Sequence, residues 1–98
     1  MAMKLLVIED EKRMFNQLRK MLLKIEPNVV IEGPVTSVAE LREILEDGNR
    51  YDLILSDVRI NGGTCFNAFE KQKPTAPVIF IPAYDEYALK AFRNNGVA

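Results

Sequence analysis

The sequence predicts one α/β domain: a parallel sheet with helices on both faces. Three observations predict it. Short apolar runs alternate with segments of helical periodicity, the connections between them are short, and the runs are apolar throughout rather than alternating. Leu5-Leu6-Val7-Ile8 and Leu53-Ile54-Leu55 are such runs. A strand with no polar side must be buried on both faces. Right-handed crossovers then lay successive strands parallel.

Each element follows from local chemistry. Residues 4–8 form the first strand. Residues 12–25 form a helix whose Phe15, Leu18, Leu22 and Ile25 recur at spacings of three and four, giving one apolar stripe. Pro27 stops it. Val29-Val30-Ile31 opens a second strand that ends near Val35, and Pro34 puts that end at a sheet edge. Ser37-Val38-Ala39-Glu40 is a capping box. The helix it opens runs to Asp47, stops at the left-handed cap Gly48, and turns Val38, Leu41, Ile44 and Leu45 inward. Residues 52–56 form the third strand. Asn61-Gly62-Gly63 is a tight turn. A short helix over 64–71, a fourth strand over 77–81 and a last helix over 85–94, closed by Gly96, complete the alternation.

Composition narrows the chemistry. The 98 residues suit one domain, and 48% hydrophobic residues supply a core. Thirteen basic against 14 acidic residues give no basic field for nucleic acid. No apolar run approaches the ~20 residues of a membrane span, and the first residues lack a signal peptide's long apolar stretch. A cytoplasmic address is expected. Cys65 is the only cysteine, so an internal disulfide is impossible; it reads as a packing residue. Without histidine, His-based catalysis and His zinc sites are excluded.

The acids carry the function. Glu9-Asp10-Glu11 follows the first strand and Asp57 follows the third. If the two strands are parallel neighbours, both sets of carboxylates lie at the carboxyl edge of the sheet, where α/β proteins bind ligands. One acid at a strand end is usually a helix cap or a solvated loop residue, and Asp10 alone suits the N-cap of the first helix. The combination is harder to dismiss. Carboxylates this close repel unless some lose charge or a cation joins them. Mg²⁺ suits one or two carboxylates, a carbonyl such as that of Arg59, and waters. Asp57 beside such a cation can attack phosphorus in line, and the backbone N–H of Ala83 can donate to a phosphoryl oxygen.

These residues resemble the receiver domain of bacterial two-component response regulators. The resemblance rests on Lys4–Glu11, on Tyr51-Asp52-Leu53-Ile54-Leu55-Ser56-Asp57-Val58, on Gly63 with Phe66, on Pro77-Val78-Ile79-Phe80, and on Ala83-Tyr84-Asp85-Glu86-Tyr87-Ala88-Leu89-Lys90-Ala91-Phe92. The last run looks like the LytTR (LytR/AlgR-type) subfamily. It implies a flavodoxin-like (CheY-like) doubly wound sheet of order 2-1-3-4-5. It implies a phosphoacceptor at Asp57 served by a histidine kinase. It implies Mg²⁺ held by Glu9, Asp10, Asp57 and the Arg59 carbonyl, and a LytTR-type DNA-binding output domain outside residues 1–98.

Two departures from the family stand out. Pro82 takes the place of a hydroxyl residue that reads the phosphoryl group, and the Lys-Pro pair of the fifth strand lies beyond Ala98. The sequence is therefore read as a receiver lacking its fifth strand and fifth helix. Its fourth strand would be an open edge that favours a homodimer or strand-exchanged association. Pro82 also motivates an alternative, a degenerate receiver that serves as a phosphorylation-independent interaction module. A phosphotransferase enzyme is disfavoured, because Arg59 stands where such an enzyme would carry its acid/base Asp.

Overall fold

The computed structural model describes residues 3–48 and 50–81. The chain runs β1 (Lys4–Ile8), α1 (Lys12–Ile25), β2 (Val30–Val35), α2 (Val38–Glu46), β3 (Leu53–Ser56), β4 (Arg59–Ile60), β5 (Gly63–Thr64), α3 (Cys65–Phe69) and β6 (Val78–Phe80). Among the described residues, the main sheet has the order β2-β1-β3-β6 with every pair parallel. This is the predicted flavodoxin-like order 2-1-3-4, since β6 is the fourth long strand. No helix of the described residues is long and apolar enough to cross a membrane. The expected last helix, and with it Pro82, Ala83, Tyr84 and Tyr87, lie outside the described residues.

Side-chain alternation divides the core in two. Leu6 and Ile8 of β1 join Ile54, Val35, Val38, Leu41, Cys65 and Ala68 on the face under α2 and α3. Leu5 and Val7 point the other way, joining Leu55, Val29, Phe15, Leu18 and Leu22 under α1. β1 is therefore buried on both faces, which is why its sequence shows no polar alternation.

Ile25 departs from expectation: it is 44% exposed, while Phe15, Leu18 and Leu22 are buried. At 3.6 residues per turn, Ile25 lies only about 20° around the helix from buried Leu18, so its exposure goes with its place as the last residue of α1. The box at the start of α2 also differs. Ser37 Oγ accepts from the Glu40 N–H as expected, but Glu40 Oε1 turns to Thr36, taking its N–H at 3.3 Å and its hydroxyl at 2.6 Å. Thr36 offers two donors where Ser37 would offer one.

Two glycines are required where they stand. Gly33 has φ +130°, and a Cβ there would sit 2.6 Å from the Val7 carbonyl oxygen. It lies where the β1–β2 register shifts, between Leu6 and Ile8. Gly63 has φ +143°, and a Cβ there would run into Asn67 Oδ1. The turn at Asn61 is more than a turn. β4 and β5 pair antiparallel as a small hairpin, Arg59 opposite Thr64 and Ile60 opposite Gly63. The two-residue Asn-Gly loop is the sequence signal for it. The helix expected over 64–71 is shorter, with Thr64 as its N-cap.

Leu41→Ala, at a fully buried site in α2, is expected to cost about 2–5 kcal/mol in urea unfolding. Ile25→Ala is expected to cost no more than about 0.5 kcal/mol, because little apolar surface is lost. Equal costs would contradict the burial pattern.

Candidate metal centre

The register of β1 and β3 builds the site. Ile8 pairs with Ser56, and the Asp57 N–H donates to the Ile8 carbonyl at 2.9 Å. On the other side, the Glu9 N–H donates to the Val35 carbonyl at 2.9 Å, continuing the β1–β2 ladder. Glu9, Asp10 and Asp57 thus leave adjacent strands at one end of the sheet. One carboxylate oxygen from each lies within 4.8 Å of the others. Among the described residues, this is the one group of three such side chains close enough to share a cation.

Asp10 does not cap α1. The N-cap is Glu11, which makes no side-chain cap bond, and the Glu11 N–H donates to Glu9 Oε1 at 3.1 Å. Asp10 is exposed and available to the cluster, whereas Glu9 and Asp57 are half-buried.

Glu9 records what the crowding costs. Its pKa is pushed up to about 7, chiefly by burial. The Glu11 N–H opposes that rise, and the charges of Asp57, Asp10 and Glu11 add to it. A hard divalent cation would offset the same repulsion. The donors are carboxylate oxygens, which suit Mg²⁺ rather than a thiophilic metal.

The other expected residues fall into place unevenly. Arg59 begins β4, two residues past Asp57. Thr64, its partner across the hairpin, spends its N–H on Asn67 Oδ1 at 2.8 Å, so Thr64 does not claim the Arg59 carbonyl. Ala83 lies outside the described residues. Cys65 is fully buried, as a packing residue should be, and burial pushes its thiol pKa up. Sequence reasoning passed over Ser56. It is fully buried and donates its hydroxyl to the Asp57 carbonyl at 2.7 Å, fastening the backbone of Asp57.

Residues 5–97 match the family model described as "Response regulator receiver domain". The chain is 34% identical over 94 residues to the sensory transduction protein LytT of Bacillus anthracis, covering 92% of this chain and 37% of that protein. It is 35% identical over 96 residues to the transcriptional regulatory protein LytR of Staphylococcus aureus strain N315, covering 95% and 38%. The chain thus spans well under half the length of these relatives. Among solved structures, the MaeR response regulator bound to beryllium trifluoride superposes with a TM-score of 0.69 at 24% identity, covering 98% of this chain and 76% of that one. At that identity the likeness speaks for the fold.

The raised Glu9 pKa has a definite sign. Without metal, the folded state holds a proton that the unfolded state releases between pH 4.5 and about 7. The Glu9 contribution to stability therefore falls as pH rises through that window. In chelator, the melting temperature of Glu9→Gln relative to wild type is expected to rise across the same window and then level off. A difference independent of pH would contradict the assignment.

Proposed function

The chain belongs to the response regulator receiver domain family, and from that membership we propose that it is a phosphoacceptor switch charged on Asp57. Receiver domains of this family interact with histidine kinases, and the kinase phosphohistidine is the proposed donor. The observation that carries the reading is the meeting of Glu9, Asp10 and Asp57 carboxylates within 4.8 Å at the carboxyl edge of a parallel sheet.

The proposed step is an in-line displacement. A carboxylate oxygen of Asp57 attacks phosphorus and forms the O–P bond as the P–N bond to the donor imidazole breaks. The imidazole leaves with the electron pair and takes a proton from solvent. Glu9, Asp10, Asp57 and the Arg59 carbonyl would hold Mg²⁺, which offsets negative charge on the transferring group when bound. The Ser56 hydroxyl and the Ile8 carbonyl fix the Asp57 backbone, so the point from which its carboxylate projects is set by the sheet. The Ala83 N–H is assigned to a phosphoryl oxygen on the family resemblance.

The reading extends to the output. The LytT and LytR relatives are more than twice as long as the matched region, which supports control of a LytTR-type DNA-binding domain outside these residues. Pro82 supports a second reading, in which the domain binds partners without phosphorylation.

The test is direct phosphorylation. Incubation with phosphoramidate and Mg²⁺ is expected to add one phosphoryl group by intact mass, labile to hydroxylamine. The group should be absent in chelator and in Asp57→Asn. An adduct that persists in Asp57→Asn, or none on folded wild-type protein, would overturn the phosphoacceptor reading.

A further inference from the structure

A short hydrogen-bonded strip of backbone joins Asp57 to the first turn of α2. Asp57 leads into β4, and Asn61 at the far end of β4 forms a parallel bridge with Ser37, the N-cap of α2. Two bonds make the joint. The Asn61 N–H donates to the Thr36 carbonyl at 3.1 Å, and the Val38 N–H donates to the Asn61 carbonyl at 2.9 Å. Val38 is the first residue of α2, and its N–H is one of the four that a helix cannot satisfy internally. The hairpin therefore supplies part of the N-terminal cap of α2.

The strip has little slack. The Cys65 N–H holds the Val58 carbonyl at 3.0 Å. Ile60 is 5% exposed and shares a core cluster with Val38, Leu41 and Cys65. Close-packed contacts of this kind transmit a displacement rather than absorb it. One end of the strip carries the proposed phosphoacceptor, and Arg59, whose carbonyl is assigned to the cation, lies within it.

We propose that the β4–β5 hairpin couples occupancy of the acid site to the N-terminal turn of α2. The signal it reports is a phosphoryl group, or a tetrahedral mimic of one, together with a divalent cation. The inference rests on the phosphoacceptor reading. It adds an output element, α2, and names the joint that drives it: Asn61 with Thr36 and Val38.

Val38→Pro isolates that joint. Proline is favoured at the first position of a helix. Ser37, at φ −143° and ψ 160°, already has the extended backbone a residue before proline needs. The substitution removes the N–H that bonds Asn61 and keeps the helix start. Amide spectra are recorded with and without beryllofluoride and Mg²⁺. In wild type, signals of Val58 and Arg59 should shift, and so should those of Ala39, Glu40 and Leu41. In Val38→Pro the first set should still shift, and the second should lose more than half its response. An α2 turn that stays silent in wild type while Val58 and Arg59 respond overturns the coupling. So does an undiminished α2 response in the variant. Silence at both places overturns the phosphoacceptor reading, and the coupling with it. Val38 is itself buried, so hydrogen exchange of its own amide in wild type gives a second readout. Its rate should change on adding beryllofluoride and Mg²⁺, and an unchanged rate overturns the link.

Discussion

The parallel pairing of β1 with β3 sets almost everything else in this domain. Leu5, Leu6, Val7 and Ile8 face Leu53, Ile54, Leu55 and Ser56 in unbroken register. Each apolar side chain in those rows is committed to one of two cores, and Ser56 is buried beside them. A slip of one residue would exchange the faces of β1 and put its apolar set against the wrong helices. The same register decides where the strands end, and therefore that Glu9 and Asp10 emerge beside Asp57. The geometry of the acids is thus a by-product of apolar packing: the core holds the carboxylates together against their own repulsion.

That repulsion has a consequence for the free protein. Half-buried Glu9 holds its proton up to about pH 7, chiefly because burial desolvates its carboxylate, with the charges of Asp57 and Asp10 adding to the rise. The backbone around Asp57 is fixed, with its N–H on the Ile8 carbonyl and its carbonyl on the Ser56 hydroxyl. Three carboxylates gathered this way could hold a cation. The β4–β5 hairpin follows immediately and is pinned both to the core through Ile60 and to α2 through Asn61. The acid site is consequently continuous with a helix terminus on one face of the sheet.

Much of this was legible in the sequence, for physical reasons that differ by element. The β1 and β3 runs were readable because burial on both faces forces continuous apolarity. The bounds of α1 follow from the Phe15-Leu18-Leu22 stripe and Pro27, but the stripe does not show that Ile25, as the last residue of the helix, stays exposed. The acid cluster was legible because two strand ends in a parallel sheet must lie together. The competing role of Asp10 as an N-cap could be settled only by seeing Glu11 in that place. Asn61-Gly62 marks the turn of the hairpin, but two-residue strands carry too few side chains to show a period. The choice of Thr36 over Ser37 by Glu40, and the burial of Ser56 under Asp57, depend on contacts that no local pattern encodes.

The proposed function requires that the β1–β3 register make a divalent-cation site of which Asp57 is a part. A Mg²⁺ titration of thermal stability, at a pH above the Glu9 value of about 7, tests it most directly. Stabilisation that grows with the logarithm of Mg²⁺ concentration is predicted for wild type, about 2.7 kcal/mol at a hundredfold excess over the dissociation constant, and it should be largely lost in Asp57→Asn. No stabilisation of wild type, or equal stabilisation of both proteins, would contradict the account.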